Sequence, residues 1–141
     1  MLERAAFVLL LVLATVVAAL VVRRRAQTRA AAAEGQALPA TLRAQLPADA
    51  SAVLYFYGPQ CGACRQQAAI LDQLVQRESV TVVRLDAVVQ TEVADSLGIA
   101  TVPATAIIAP GGTVKTINLG PRSLHVLAAQ LREAVAIRAV A

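Results

Sequence analysis

The sequence predicts an α/β domain, with a central four-stranded mixed sheet and flanking helices, that follows a single transmembrane helix. Three observations lead to this prediction. A run of apolar residues without a charge fills positions 5–22. From Ala52 onward, β-branched segments alternate with segments of helical periodicity, which is typical of strands joined by crossover helices. The only two cysteines, Cys61 and Cys64, stand where the first predicted strand gives way to a helix.

The apolar run at 5–22 is eighteen residues long. At ~1.5 Å per residue a helix of this length reaches roughly 27 Å, enough to cross the hydrocarbon core of a bilayer. A cleaved signal peptide is the alternative, but the nearest Ala-x-Ala motif, at Ala30–Ala32, lies beyond three arginines, Arg23–Arg25. We therefore predict an uncleaved transmembrane helix over 5–22.

The arginines around this run predict how the helix is oriented. Arg23, Arg24, Arg25 and Arg29 follow it, whereas only Arg4 precedes it. Since the side richer in Lys and Arg stays in the cytoplasm, we expect the N-terminus outside and the main domain on the cytoplasmic face of the cell membrane. The envelope-facing arrangement is the alternative.

The charge of the chain is concentrated next to the predicted membrane helix. The net charge is +4, but nine Lys or Arg and eight Asp or Glu follow Arg25, which leaves the remainder at +1. A basic segment in this place fits anionic lipid headgroups. We expect no nucleic acid partner, because no basic face with interleaved aromatic residues is visible in the rest of the chain.

The remaining chain divides into a basic juxtamembrane segment and linker at 23–47 and a main domain at 48–141. Residues 40–46 can form a short helix that packs on the domain. The main domain has the predicted order β-α-β-α-β-β-α. Strands are predicted at 53–57, 80–85, 104–108 and 113–118, and helices at 61–78, at 91–97 and from Ser123 onward. The first two strands run parallel and the last two form a hairpin.

Two of these helices carry an apolar stripe. We predict that the stripes face the core through Ile70, Leu71, Leu74 and Val75 in the first helix and Leu124, Leu127, Leu131 and Val135 in the last. Most polar residues of the first helix, Gln67 among them, are predicted on its other face.

The spacing of the two cysteines favours thiol–disulfide exchange. Two thiols at a strand-to-helix turn can form and reopen a disulfide, and the free N–H groups of the helix N-terminus favour a thiolate at Cys61. A structural zinc site usually needs four N or S ligands, and the chain offers only Cys61, Cys64 and the distant His125. A purely structural disulfide would constrain little in so short a loop. We predict no metal and no cofactor.

Cys61-Gly62-Ala63-Cys64 after a strand, then Thr101-Val102-Pro103 before a hairpin and Gly120 after it, resembles the thioredoxin superfamily. The resemblance covers 48–139 and implies a thioredoxin-like fold. It also implies that Cys61 is the attacking thiolate and Cys64 the resolving thiol of a redox-active disulfide. The bond before Pro103 would be cis, with the proline beside Cys61. A substrate groove would be formed by Gln60, Gly62, Val102, Pro103 and Gly120, with Gly62 allowing a tight turn and leaving room for a partner.

The chain departs from the pattern of this superfamily at four positions. Gln60 replaces a tryptophan and Ala63 a proline. Tyr55 stands where members usually carry a buried aspartate, and Val82 where a neighbouring lysine would align. Both charged partners of the dithiol are thus missing from their expected positions.

The resemblance and the apolar run together predict a membrane-anchored thiol–disulfide oxidoreductase that reduces protein disulfides. Its expected partners are disulfide-containing protein substrates, an upstream dithiol electron donor and the membrane. Three alternatives remain open: an envelope-facing reductase in cytochrome c maturation or oxidative repair, a tethered binding module with little turnover, and a dimeric metal carrier built on two C-x-x-C pairs.

Overall fold

A computed structural model describes residues 2–136. The last five residues, which we assigned to the main domain, lie outside the described residues. The helices are α1 (Leu2–Ala33), α2 (Ala40–Arg43), α3 (Gly62–Glu78), α4 (Thr91–Ser96) and α5 (Leu124–Ala136). The strands are β1 (Ala52–Tyr57), β2 (Thr81–Asp86), β3 (Ala104–Ala109) and β4 (Thr113–Leu119). The elements of the main domain follow the predicted order.

The four strands form one mixed sheet in the order β2-β1-β3-β4. β1 pairs with β2 in parallel, through the crossover helix α3, and with β3 in antiparallel. β3 and β4 form the antiparallel hairpin, with a register shift between Ile107 and Ile108. The predicted α/β fold class with a mixed sheet is therefore confirmed.

One side of the sheet, here called the apolar face, carries Leu54, Phe56, Ala106 and Ile108. The end of α1, α2 and α4 cover this side with Ala33, Leu42 and Ala94, among others. Because successive residues of a strand point to opposite sides, the intervening residues form a second face. That second side is covered by α3 and α5, and we call it the dithiol face because Cys64 packs there.

Helix rotation on the dithiol face differs in part from the prediction. The buried stripe of α3 consists of Cys64, Gln67, Leu71 and Leu74. Val75 is 40% exposed, and on α5 Val135 is 53% exposed. The two valines were wrongly assigned to the core and Gln67 wrongly to the outer face. The reason is geometric: Val75 lies ~100° around the helix from Leu74, so both cannot lie at the centre of one narrow contact.

The N-terminal helix continues well past the apolar run. α1 is long and apolar enough to cross a membrane, by length and composition, and its most apolar window is not buried against the protein. Its last turns pack on the domain, where Ala30 and Ala33 are buried. The backbone of Gly98 touches α1 so closely that an added Cβ would lie 2.6 Å from the backbone N of Ala30 and from the carbonyl carbon of Arg29.

Residues after α1 extend the sheet at its β4 edge. Gly35 N donates to Val114 O at 2.8 Å, and Leu38 N donates to Gly112 O at 3.0 Å. An isolated antiparallel bridge joins Ala37 to Thr113. The short α2 then packs on the apolar face, as predicted for 40–46. The segment 23–47, predicted as a linker, thus includes the end of α1, this bridge and α2.

Candidate dithiol site

The two cysteines meet at the start of α3, at the end of the sheet where β1 terminates. Cys61 and Cys64 form a disulfide, with an S–S distance of 2.11 Å and a Cα–Cα distance of 5.2 Å. Cys61 is the N-cap residue of α3, and its Sγ accepts a hydrogen bond from the backbone N of Cys64 at 3.1 Å. Cys61 is partly exposed, whereas Cys64 is only 5% exposed. The predicted placement of Cys61 at a helix N-terminus is confirmed.

The tight turn before the dithiol is made by Gln60 and not by Gly62. Gln60 has a φ of 55°, in the left-handed region that residues with a Cβ seldom adopt. Gly62 is the first residue of α3, and a Cβ added to it would meet only Arg65 Nη2, at 3.9 Å, within the described part of the chain. The space beside Gly62 is therefore open, but the predicted role of Gly62 in turning the backbone is wrong.

The loop before β3 lies close to the dithiol loop. The Val102–Pro103 bond is cis, as the resemblance implied. Val102 packs against the cluster that contains Cys64, and a Cβ added to Gly58 would lie 3.1 Å from Val102 Cγ2. Gly120 N donates to Pro103 O at 2.9 Å, with Gly120 at a φ of 90°.

A cleft of about 330 Å³ lies beside the disulfide. We call it the dithiol cleft, and its lining is Tyr55, Tyr57, Gly58, Gln60, Cys61, Cys64, Arg65, Ala68 and Arg84. The hydroxyl of the buried Tyr55 donates a hydrogen bond to the carbonyl oxygen of Cys64 at 2.6 Å. Burial raises the pKa of Tyr55, and the nearby charge of Arg84 partly opposes this rise.

A row of four polar residues crosses the dithiol face at the level of Tyr55. Tyr55 pairs with Arg84 on β2 and with Thr105 on β3, and Thr105 pairs with Asn118 on β4. Directly paired residues share a face of the sheet. Arg84, Tyr55, Thr105 and Asn118 are here called the polar row. Val82 stands where the superfamily usually has a lysine, but Arg84 places a cation two residues further along β2.

Asn118, the β4 member of the polar row, is the central residue of a hydrogen-bond network. Its Nδ2 donates to Thr105 Oγ1 at 3.2 Å and to Gln130 Oε1 at 2.8 Å. Its Oδ1 accepts from Gln130 Nε2 at 3.0 Å and from Arg122 Nε at 3.2 Å. The network therefore joins β3, β4 and α5 to the loop that follows Gly120.

Gln67 joins α3 to the same loop. Its Oε1 accepts a hydrogen bond from the backbone N of Arg122 at 2.6 Å. Its Nε2 is buried and has no hydrogen-bond partner within residues 2–136. The sequence did not predict a place in the site for Gln67, Arg84, Thr105 or Asn118. The one available signal was that polar residues interrupt otherwise apolar strands and stripes at these positions.

The family model for thioredoxin matches residues 36–133, which is more than half of the chain. The chain belongs to the thioredoxin family. Comparison with curated proteins gave no significant match.

Solved structures of thioredoxins share the fold. A mutant thioredoxin from Halobacterium salinarum is similar with a TM-score of 0.61 and 16% identity, over 70% of this chain and 87% of that one. Thioredoxin-2 of the malaria parasite, described as a component of protein secretion machinery, gives 0.56 and 20% identity over 60% and 84%. A chain from a study of thiol resolution in yeast mitochondrial 1-Cys peroxiredoxin gives 0.58 and 17% over 71% and 93%.

A thioredoxin fold with a cysteine pair at disulfide distance is consistent with a redox-active thiol oxidoreductase. The fold brings the dithiol, the cis-proline loop and Gly120 to one end of the sheet. The apolar part of α1 is a candidate membrane anchor or signal sequence.

Proposed function

We propose that this thioredoxin is a membrane-anchored thiol–disulfide oxidoreductase that reduces protein disulfides. The observation that carries the proposal is the Cys61–Cys64 disulfide at the N-terminus of α3, with Cys61 partly exposed and Cys64 buried. This asymmetry suits a reaction in which one thiol meets the substrate and the other acts only afterwards.

In the reduced protein, the thiolate of Cys61 attacks one sulfur of a substrate disulfide. A mixed disulfide forms, and the other substrate sulfur leaves as a thiolate that takes up a proton. The thiolate of Cys64 then attacks Cys61 Sγ, the bond between Cys61 and the substrate breaks, and the Cys61–Cys64 disulfide forms. Two electrons have passed from the dithiol to the substrate. An upstream dithiol electron donor returns the pair to its reduced form.

The substrate lies, in this proposal, across Gln60, Gly62, Val102, Pro103 and Gly120. The open space beside Gly62 supports this groove, because a partner can approach Cys61 there without displacing a side chain. An extended peptide can pair with the backbone of Val102, which is a short form of strand addition. Disulfide-containing proteins are therefore the proposed substrates.

The membrane anchor is the apolar part of α1, retained in the mature protein. Support comes from Ala30 and Ala33, which are buried against the domain, so cleavage at the Ala-x-Ala motif would remove a packed turn. With the arginines after the run held in the cytoplasm, the dithiol works on the cytoplasmic face of the cell membrane.

A pair of trapping variants tests the activity. In cells, Cys64→Ser leaves the attacking thiol without its resolving partner, so we expect mixed disulfides with proteins that appear on non-reducing gels and vanish on reduction. Cys61→Ser is the matched control and should trap far less. Equal and low trapping by both variants, with no reduction of insulin disulfides by the purified full chain, would favour the tethered binding module instead.

Labelling of the wild-type thiols in intact cells tests the sidedness. We expect Cys61 and Cys64 to react with a permeant maleimide and to be protected from an impermeant one. Labelling by the impermeant reagent, directly or after mild reduction, would place the dithiol in the envelope and contradict the cytoplasmic proposal.

A further inference from the structure

The buried position of Cys64 creates a chemical requirement. Cys64 is the thiol that must ionise before it can resolve the mixed disulfide, yet it is only 5% exposed. Burial in apolar surroundings disfavours a thiolate. Among residues 2–136, no carboxylate lines the dithiol cleft, so no side chain there is placed to take the proton as a carboxylate would.

The dithiol cleft instead contains positive charge. Arg84 and Arg65 both line it. Arg84 reaches it from the middle of β2, directly opposite Tyr55, and is ion-paired with Asp72 of α3. Its side chain is 46% exposed, so the arginine lies at the boundary between the cleft and solvent. An opposite charge near a thiol favours the ionised form.

Tyr55 links this strand pair to the redox helix. Its hydroxyl donates to Cys64 O at 2.6 Å. A tyrosine is protonated at neutral pH even at its ordinary pKa of 10.0, and burial raises the pKa of Tyr55 further, so Tyr55 acts as a hydrogen-bond donor and not as a base. The hydrogen bond holds the first turn of α3 against β1.

We propose that Arg84 stabilises the thiolate of Cys64 across the dithiol cleft, and that Tyr55 is a positioning residue that holds Cys64 beside this charge. The inference deepens the proposed function and rests on it, since it concerns the second step of the same reaction. The proton that leaves Cys64 Sγ passes through the open cleft to solvent. The electron pair left on the sulfur then forms the bond to Cys61 Sγ as the bond to the substrate breaks.

The charged and titratable groups around Cys64 come from three elements. β1 contributes Tyr55 and Tyr57, and β2 contributes Arg84. α3 contributes Cys61, Arg65 and, through its ion pair with Arg84, Asp72. α5 also packs on this face, but its Arg132 pairs with Glu78 at the far end of α3. Arg132 therefore offers a matched control, an ion-paired surface arginine outside the cleft.

The pH dependence of Cys64 alkylation by iodoacetamide tests the proposal in the full-length Cys61→Ser variant, purified in detergent. Adding Arg84→Gln should move the midpoint of the pH–rate profile upward and slow alkylation at neutral pH about threefold, as expected for a half-exposed charge that solvent screens. Adding Arg84→Lys should restore most of the rate. Adding Arg132→Gln should leave the profile unchanged.

Asp72→Asn should shift the pH–rate profile of Cys64 alkylation in the opposite direction. Removing the carboxylate leaves the Arg84 charge uncompensated, so the profile should move downward and alkylation should be faster. Loss of packing alone would not give opposite shifts for the two members of one ion pair. An Arg84→Gln profile that matches its parent, or equal shifts for Arg84→Gln and Arg132→Gln, would overturn the proposal.

Alkylation of Cys64 and trapping of substrates report on different steps of the chemistry. The alkylation profile uses a small reagent and no substrate, so it reports the thiol alone. If the profiles shift as expected but Cys64→Ser traps no protein, the proposed disulfide reductase is wrong and the electrostatic role of Arg84 stands. If trapping succeeds and the profiles do not shift, only the role of Arg84 is refuted.

Discussion

Both faces of the sheet pack against helices, but they are built from different chemistry. On the apolar face, Leu54, Phe56, Ala106 and Ile108 belong to a cluster of buried apolar side chains. On the dithiol face, the polar row crosses all four strands at the level of Cys64. A buried polar group needs a hydrogen-bond partner, whereas a buried apolar group needs only contact. The packing of the dithiol face therefore depends on hydrogen-bond geometry, whereas the packing of the apolar face depends on how well the side chains fit together.

The chemistry of each face suits the part of the molecule that packs on it. The apolar face receives the end of α1, where two small residues, Ala30 and Ala33, and Gly98 allow close approach. The dithiol face holds a reactive pair whose position depends on Tyr55 and whose neighbouring loop depends on Gln67. Substitutions on the two faces should therefore destabilise the protein for different physical reasons. Three predictions test this contrast, from the largest expected loss of stability to the smallest.

Gly98→Ala should have the largest effect on stability, because the added methyl group would clash with α1 on the apolar face. Its Cβ would lie 2.6 Å from two backbone atoms of α1, and the φ of 65° disfavours any side chain. Overpacking costs about 1–3 kcal/mol and the left-handed conformation about 1–2 kcal/mol. We expect the free energy of unfolding to fall by about 3 kcal/mol in urea denaturation of the full chain in detergent.

Gly111→Ala is the matched control for this experiment. Gly111 has a φ of 91°, but within residues 2–136 nothing lies within 4 Å of an added Cβ. It should therefore lose only the conformational part, about 1–2 kcal/mol. Equal losses for the two variants would show that α1 is not held by close contact at Gly98.

Asn118→Ala should have an intermediate effect on stability, because it removes the central residue of the hydrogen-bond network on the dithiol face. The change leaves Gln130 and Thr105 without hydrogen bonds that they make to Asn118. Leaving buried polar groups unpaired costs about 1–3 kcal/mol. We expect a loss of about 2 kcal/mol in the same denaturation assay. Thr116→Ala, at a half-buried position on the same strand, is the control, and a loss as large there would contradict the role of the network.

Tyr55→Phe should have the smallest effect on stability at neutral pH, about 1 kcal/mol for one hydrogen bond. Its pH dependence is more informative. The pKa of Tyr55 is raised by burial above the ordinary 10.0, so folding favours the neutral phenol. The corresponding stability is fully present below about pH 10 and is lost as the pH rises through the higher pKa of the folded state.

Urea denaturation of the oxidised protein across this pH range checks the prediction. Wild type should lose stability more steeply than Tyr55→Phe above about pH 10, and the two should run parallel below it. Parallel curves over the whole range would mean that the hydroxyl of Tyr55 is not buried in the folded protein.

Much of the fold was predictable because it depends on local patterns. The strand and helix boundaries from Ala52 to Leu119 agree with the prediction within one or two residues. The position of the cysteine pair at the start of α3 followed from local patterns, and the cis bond before Pro103 was implied by the resemblance to the thioredoxin superfamily. The errors concern helix rotation, since Gln67 was placed on the wrong side of α3. The pairing of Arg84 with Tyr55 was not predicted.

The sequence by itself determined the order of the elements, the dithiol at a strand-to-helix turn and the apolar run long enough for a membrane. These are properties of neighbouring residues, which periodicity, capping and turn preferences decide. Only the tertiary structure decided that Arg84 faces Tyr55, that Gln67 enters the core and that Gly98 meets the end of α1. Strand register and helix rotation are set by contacts between residues far apart in the chain, and packing of the whole core selects among the arrangements that local patterns allow.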